Sequence, residues 1–169
     1  MQLVEGQSLS ALLATQRAIP GRLEQACTRE EAHEAARIGA QIASALAYAH
    51  RQGVLHRDVK PANLLLDGHG EVYLGDFGLA LHGEVELTRT GEILGTLRYL
   101  APERFTGSGD ARADVYALGV TLYEMLALGS PFGDSDQARL VHDVVAGAVP
   151  RLGSRRVGVP RDLELIVHR

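Results

Sequence analysis

Tryptophan is absent from the 169 residues, aromatic side chains make up only 5% of them, and cysteine occurs once, at Cys27. A single cysteine cannot close an internal disulfide. That removes the disulfide-stapled secreted scaffolds and favours a reducing, cytoplasmic setting. Beside an expected helix start, Cys27 reads as a plain surface or half-buried thiol rather than a reactive one. No apolar run is long enough to span a bilayer, and the first residues lack the basic start of a secretory signal. Lys and Arg number 17 against 21 Asp and Glu, a net charge of −4. With no basic stripe to offset that balance, a nucleic-acid partner is disfavoured. Repeats and low-complexity tracts are also missing. What remains is 46% hydrophobic and 22% charged, enough for one folded unit with a real core.

Helical periodicity dominates the pattern. Leu9, Leu12 and Leu13 mark a helix from Ser8 to Thr15, stopped by Pro20 and Gly21. Thr28 followed by Glu31 is a capping-box signature. After it, Ile38, Ile42, Ala45, Leu46 and Ala49 make one apolar face running to about His50, with Gly53 as the stop. Val54 and Leu55 suggest a short strand. Leu64 to Leu66 and Glu71 to Leu74, joined by Asp67, Gly68, His69 and Gly70, predict a hairpin. Residues 81–110 are rich in Gly and Thr, are interrupted by Pro102, and read mostly as loop. A helix is expected at about Asp114 to Leu128, with Val115, Leu118, Leu122 and Leu126 inward and Gly129 as its cap. Another is expected from about Ser135 to Val145 under Asp134 or Ser135. A last one starts at Pro160, a favoured first helical residue. The sum is a mainly α chain with small β-hairpins.

One stretch carries more chemistry than the rest: His56, Arg57, Asp58, Val59, Lys60, Pro61, Ala62 and Asn63, followed after the hairpin by Asp76, Phe77 and Gly78. It sets two carboxylates, an amide and an ammonium on short connections. Asp58, held before Pro61, suits accepting or orienting the proton of an attacking hydroxyl. Lys60 would neutralise charge on a transferred group. Asn63 and Asp76 offer the hard oxygens that Mg²⁺ takes, and the hairpin between them would fold both toward one point. Taken singly, each has an ordinary reading: a turn Asp, a solvated Lys, a turn Asn, a loop Asp. His56 among apolar residues reads as a packed core side chain.

The order and spacing resemble the catalytic and metal-binding loops of a protein kinase, His-Arg-Asp-x-Lys-x-x-Asn and then Asp-Phe-Gly. Ala101, Pro102 and Glu103 resemble the end of an activation segment. The resemblance covers nearly all of residues 1–169, and the sequence of the helix after Asp114 is similar to bacterial serine/threonine kinases of the Hanks type. It implies Mg²⁺-dependent transfer of the ATP γ-phosphate to Ser or Thr of a protein substrate. Asp58, Lys60, Asn63, Asp76 and Thr96 would be catalytic, with Asn63 and Asp76 as metal ligands. Thr96 is similar to the threonine that bonds the catalytic Asp and Lys. Arg57 would pair with phosphate on Thr88 or Thr90. Asp114 would anchor the backbone of the catalytic loop, and His56 and Phe77 would stack in an internal apolar spine.

The same resemblance reads Met1 to Leu13 as the hinge between two kinase lobes and the helix after it. Gln2 and Val4 would face adenine, Ser8 would lie near the ribose, and Leu65 would pack beneath the adenine ring. No Gly-x-Gly-x-x-Gly loop, strand lysine or partner glutamate occurs in the sequence, and these belong to the small lobe that covers ATP. The expectation is therefore a large, C-terminal lobe cut at both ends. The missing small lobe would dock on the hinge side, and the chain alone would be inactive. Two rivals differ in class. A pseudokinase or docking module would have a broken catalytic set. A small-molecule phosphotransferase of kinase-like fold would lack an Ala-Pro-Glu segment.

Overall fold

A computed structural model describes residues 6–75, 95–107, 109–133 and 136–168. Three short strands, β1 (Gly6–Ser8), β2 (Leu64–Asp67) and β3 (Val72–Leu74), form one antiparallel sheet in the order β1-β2-β3. Among the described residues it is accompanied by the helices α1 (Leu9–Ala18), α2 (Arg29–Arg51), α3 (Ala111–Ala127), α4 (Gln137–Val145), α5 (Leu152–Arg155) and α6 (Arg161–Val167). Turns of 3₁₀ helix cover Pro61–Asn63 and Pro102–Thr106. The mainly helical expectation with a small hairpin holds. No helix among the described residues is long and apolar enough to cross a membrane.

α2 is the spine, and its start follows from its sequence. The Thr28 hydroxyl accepts the Glu31 amide while the Glu31 carboxylate accepts the Thr28 amide, the full capping box. Its apolar stripe, Ile38, Ile42 and Leu46, packs with Leu9, Val59, Leu64 and Leu118 in the main core. Each such fully buried Ile or Leu contributes about 1.5–3 kcal/mol. α3 crosses α2 at Gly39, where an added Cβ would sit 2.8 Å from Leu122 Cδ2. A side chain at 39 would require Leu122 to shift. Ala32, Ala35, Tyr123, Leu126 and Leu152 form a second cluster, and Leu97, Val120, Phe132, Leu140 and Val144 a third.

Several boundaries differ from the sequence reading. α3 begins a turn early because Asp110, not Asp114, is its cap, accepting the Arg112 amide. Val115, expected inward, is 60% exposed. Ala117, Val120, Thr121 and Tyr123 are buried with Leu118, so α3 is enclosed on most sides and has no single apolar face to read. Its C-cap is Leu128 in the left-handed region at φ 53°, one residue before the expected Gly129. Asp136 rather than Asp134 or Ser135 caps α4. Val54 and Leu55 form no strand: the Val54 amide closes the end of α2 on the Ala49 carbonyl. α1 starts one residue after Ser8, which is its cap, and runs on to Ala18. Cys27 is buried rather than at the surface. Burial pushes its thiol pKa up, against the pull of Arg156, which fits an unreactive thiol.

Buried ion pairs tie the far end of the molecule together. The Arg156 guanidinium, in a residue 2% exposed, donates to both Glu31 oxygens at 2.9 Å and to the Gln25, Ala26 and Leu126 carbonyls. Arg22 reaches Glu31 from the other side.

Candidate active site

Residues 54–60, between α2 and the 3₁₀ turn at Pro61–Asn63, have no regular structure of their own, so outside groups must satisfy their backbone. Asp114 of α3, only 2% exposed, does most of this. Its Oδ2 accepts the His56 amide at 2.9 Å and its Oδ1 the Arg57 amide at 2.8 Å. His50 Nε2 lies 2.8 Å from Oδ2. These bonds hold Arg57 at φ 68°, a left-handed conformation that costs a non-glycine residue about 1–2 kcal/mol. The anchoring expected of Asp114 is present in the geometry.

His56 is fully buried, as its apolar neighbours suggested. Its Nε2 lies 2.8 Å from the Gly75 carbonyl oxygen and its Nδ1 3.3 Å from the Asp58 amide nitrogen. The carbonyl can only accept and the amide can only donate. The ring is therefore the neutral tautomer with the proton on Nε2.

That places the Asp58 carboxylate beside two donors. Its Oδ2 lies 2.9 Å from Lys60 Nζ and accepts from Asn63 Nδ2 at 2.8 Å. The same Nδ2 donates to the Asp58 backbone carbonyl at 2.8 Å. Both partners are acceptors, so the amide nitrogen must face them and the Asn63 carbonyl oxygen is turned the other way. A hard, neutral oxygen so presented suits Mg²⁺. Lys60 Nζ also donates to Thr96 Oγ1 at 3.1 Å, joining residues 95–97 to the loop. Of the candidate residues, Asp58, Lys60, Asn63 and Thr96 thus converge. Buried Asp58 and Asn63 and half-buried Lys60 form a charge-balanced cluster at one point.

Other candidates fall elsewhere or outside the described residues. Leu65 is half-buried on the face of β2 opposite the buried Leu64 and Leu66, as the floor of a site would be. Ser8 uses its hydroxyl to cap α1, accepting from the Ala11 amide at 3.2 Å. Gln2, Val4, Asp76, Phe77, Thr88 and Thr90 lie outside the described residues.

The sequence reading missed one of the buried carboxylates. Glu124, 5% exposed, accepts from the Tyr99 hydroxyl at 2.6 Å, and Arg17 of α1 lies 3.8 Å away. Burial, reinforced by Glu124, pushes the Tyr99 phenol far above its ordinary range. A lone acid in the apolar run Leu122 to Leu128 was the available signal, since a buried charge needs a partner. Gln41 and Arg37, which meet the hairpin from α2, were also missed. Polar residues on a long helix give no such signal.

Comparison with known proteins agrees with this geometry. The protein kinase domain family profile matches residues 1–156. The chain is 37% identical to serine/threonine-protein kinase PknL of Mycobacterium tuberculosis over 99% of its own length and 40% of that protein. It is 40% identical to serine/threonine-protein kinase PknE of the same species, over all of its own length and 28% of that protein. A third relative, serine/threonine-protein kinase PknH of Mycobacterium bovis, is 41% identical over 76% of the chain and 22% of its own length. The chain therefore spans well under half the length of these relatives. On its matched residues and its likeness to the mycobacterial enzymes, it belongs to the protein kinase domain family, in the bacterial Hanks-type group.

Proposed function

We propose that residues 1–169 supply the large-lobe part of a protein serine/threonine kinase domain, which transfers the ATP γ-phosphate to a Ser or Thr hydroxyl of a protein substrate. The observation that carries this reading is the convergence of Lys60 and Asn63 on one oxygen of Asp58, with Thr96 on Lys60. Asp58, fixed by these donors, orients the substrate hydroxyl and takes up its proton. Lys60 stands beside it as the cation that offsets charge on the phosphoryl group, and Thr96 keeps it there. Asn63, through its outward carbonyl oxygen, and Asp76 would hold Mg²⁺, which when bound neutralises charge on the phosphate oxygens. Gln2, Val4, Ser8 and Leu65 would face the nucleotide, with a small lobe docked on that side. Arg57 would pair with phosphate carried on Thr88 or Thr90. Catalysis in such a site is chiefly positioning and electrostatics, so a partly assembled site should lose most of the rate.

The rival readings find less support. A pseudokinase leaves the intact Asp58, Lys60, Asn63 and Asp76 unexplained, and a small-molecule phosphotransferase leaves Ala101, Pro102 and Glu103 unexplained. The test is phosphate transfer to Ser and Thr peptides by the full-length gene product. Asp58→Asn should lower Mg²⁺-dependent transfer by about a hundredfold or more, and Asp76→Ala should abolish it. Retained rates in both variants would refute the assignment.

A further inference from the structure

The hairpin β2–β3 joins Asn63 to the residue before Asp76, and its position is set by more than its own ladder. Gly75 donates to the Asn63 carbonyl at 2.8 Å and Asp67 to the Glu71 carbonyl at 3.1 Å. With Leu65 opposite Tyr73, these are the hydrogen-bonded pairs of the antiparallel ladder. Val72 and Leu74 therefore turn their backbone groups away from β2, and among the described residues β3 is an edge strand. The outward Val72 amide is taken by a side chain of α2: it donates to Gln41 Oε1 at 2.7 Å. One helical turn earlier, Arg37 Nη1 donates to the Gly70 carbonyl at 2.6 Å. Arg37 is itself fixed by Glu34, at 2.9 Å through Nε and 2.7 Å through Nη2.

Residues four apart on a helix stand on one face, so Arg37 and Gln41 form a two-point clamp on the outer edge of the hairpin. The hairpin turn fits it closely. Gly70 has φ 81°, and a Cβ there would lie 3.1 Å from Arg37 Nη2. At the other end Gly75 is held by Asn63 and by His56 Nε2. β3 is thus fastened at both ends. Three residues along the strand, about 10 Å, separate Val72 at the clamp from Gly75, which bonds Asn63.

We infer that Gln41, through its bond to the Val72 amide, is a positioning residue for the metal site. This rests on the kinase reading above. Gln41 is not itself a candidate ligand; it fixes the register and tilt of β3 and of the Gly75 amide after it, which bonds the Asn63 backbone carbonyl, and thereby the placement of Asn63 as a metal ligand. Gln41→Met keeps volume and removes the acceptor, whereas Gln41→Glu keeps an acceptor oxygen. In the full-length gene product, Gln41→Met should raise the Mg²⁺ concentration for half-maximal transfer about tenfold, the lower end of what outer-shell partners of a metal cost. The peptide KM should not change. Gln41→Glu should restore the wild-type Mg²⁺ requirement. Independently of activity, hydrogen exchange of residues 71–75 should quicken in Gln41→Met and not in Gln41→Glu, with α3 unchanged in both. Should Gln41→Met not fold, Gln41→Asn, one methylene too short for Val72, carries the same expectations.

Quicker exchange with an unmoved Mg²⁺ requirement would overturn the positioning role, leaving Gln41 a merely structural clamp. A moved requirement without quicker exchange would overturn the route through β3. A wild-type protein with no Mg²⁺-dependent transfer would instead overturn the kinase reading itself.

Discussion

Arg156→Met tests whether the buried pair at the far end of α2 holds the helices together. The substitution keeps most of the side-chain volume and removes five donor contacts, two of them at 2.9 Å to Glu31. Removing one member of a buried ion pair costs about 3–5 kcal/mol. Glu31 keeps Arg22 and the Thr28 amide, and its side chain is 23% exposed, so the lower end, about 3 kcal/mol, applies. Glu31→Gln should cost more, about 4 kcal/mol, because it leaves the Arg156 charge buried and weakens the capping box. Since each variant removes the same contact, the double variant should cost about 2 kcal/mol less than the sum of the two. Hydrogen exchange of the first turns of α2 in the full-length gene product reads this locally. A loss of about 3 kcal/mol should speed exchange roughly a hundredfold. Exchange within about threefold of wild type (roughly 0.7 kcal/mol), or strictly additive effects, would refute the argument. The pH dependence gives a second reading. Burial alone would raise the Glu31 pKa, but the Thr28 amide, Arg156 and Arg22 together hold it below the usual carboxylate range. Its contribution is therefore complete above the ordinary Glu pKa and is lost as pH falls through the depressed one. Acid should lower the protection of α2 amides relative to their intrinsic exchange rates in the wild type and do so less in Glu31→Gln.

Burial, with Glu103 adding to it, pushes the Tyr116 phenol up to about 12, and Tyr99 is pushed further still. Stability from both should be full below the ordinary phenol pKa and fall as pH rises above it. In a phenolate absorbance titration the two should ionise only as the fold opens, and ionisation within an intact fold would contradict their burial. Mass spectrometry of the full-length protein incubated with ATP should find phosphate on Thr88 or Thr90. An undiminished rate with both replaced by alanine would remove their regulatory role. The 169-residue chain by itself contains no Gly-rich loop or strand lysine, so calorimetric titration should show weak or no ATP binding. Submicromolar affinity, roughly 8 kcal/mol or more, would overturn that expectation.

Much of this site was legible before any coordinates. Asp58, Lys60 and Asn63 could be named because their chemistry and spacing are local, whereas Thr96, 36 residues beyond Lys60, came only with the kinase resemblance. A hairpin with a Gly-containing turn is likewise a strong short-range signal. Thr28 and Glu31 announced the start of α2 for the same reason. The misreadings share a cause. Val115 looked inward because periodicity assumes one buried face, and α3 has several. Val54 and Leu55 looked like a strand because apolar pairs carry no record of whether a partner strand exists. Tyr99, Glu124, His50, Gln41 and Arg156 earn their places through partners 25 to 131 residues away, and no spacing rule reaches that far.

Asp114 has a consequence for the order of folding. It accepts from Arg57 and His56 across 57 and 58 residues of chain, and from His50 across 64. α2 and the hairpin can each form from neighbours, at little loop-closure cost. The strained Arg57 has no local reason to turn left-handed, and only a docked α3 supplies the carboxylate that holds it there. The loop carrying Asp58 is thus expected to order only once α2 and α3 have docked. A chain whose α3 is undocked has its reactive residues in the right order and no site.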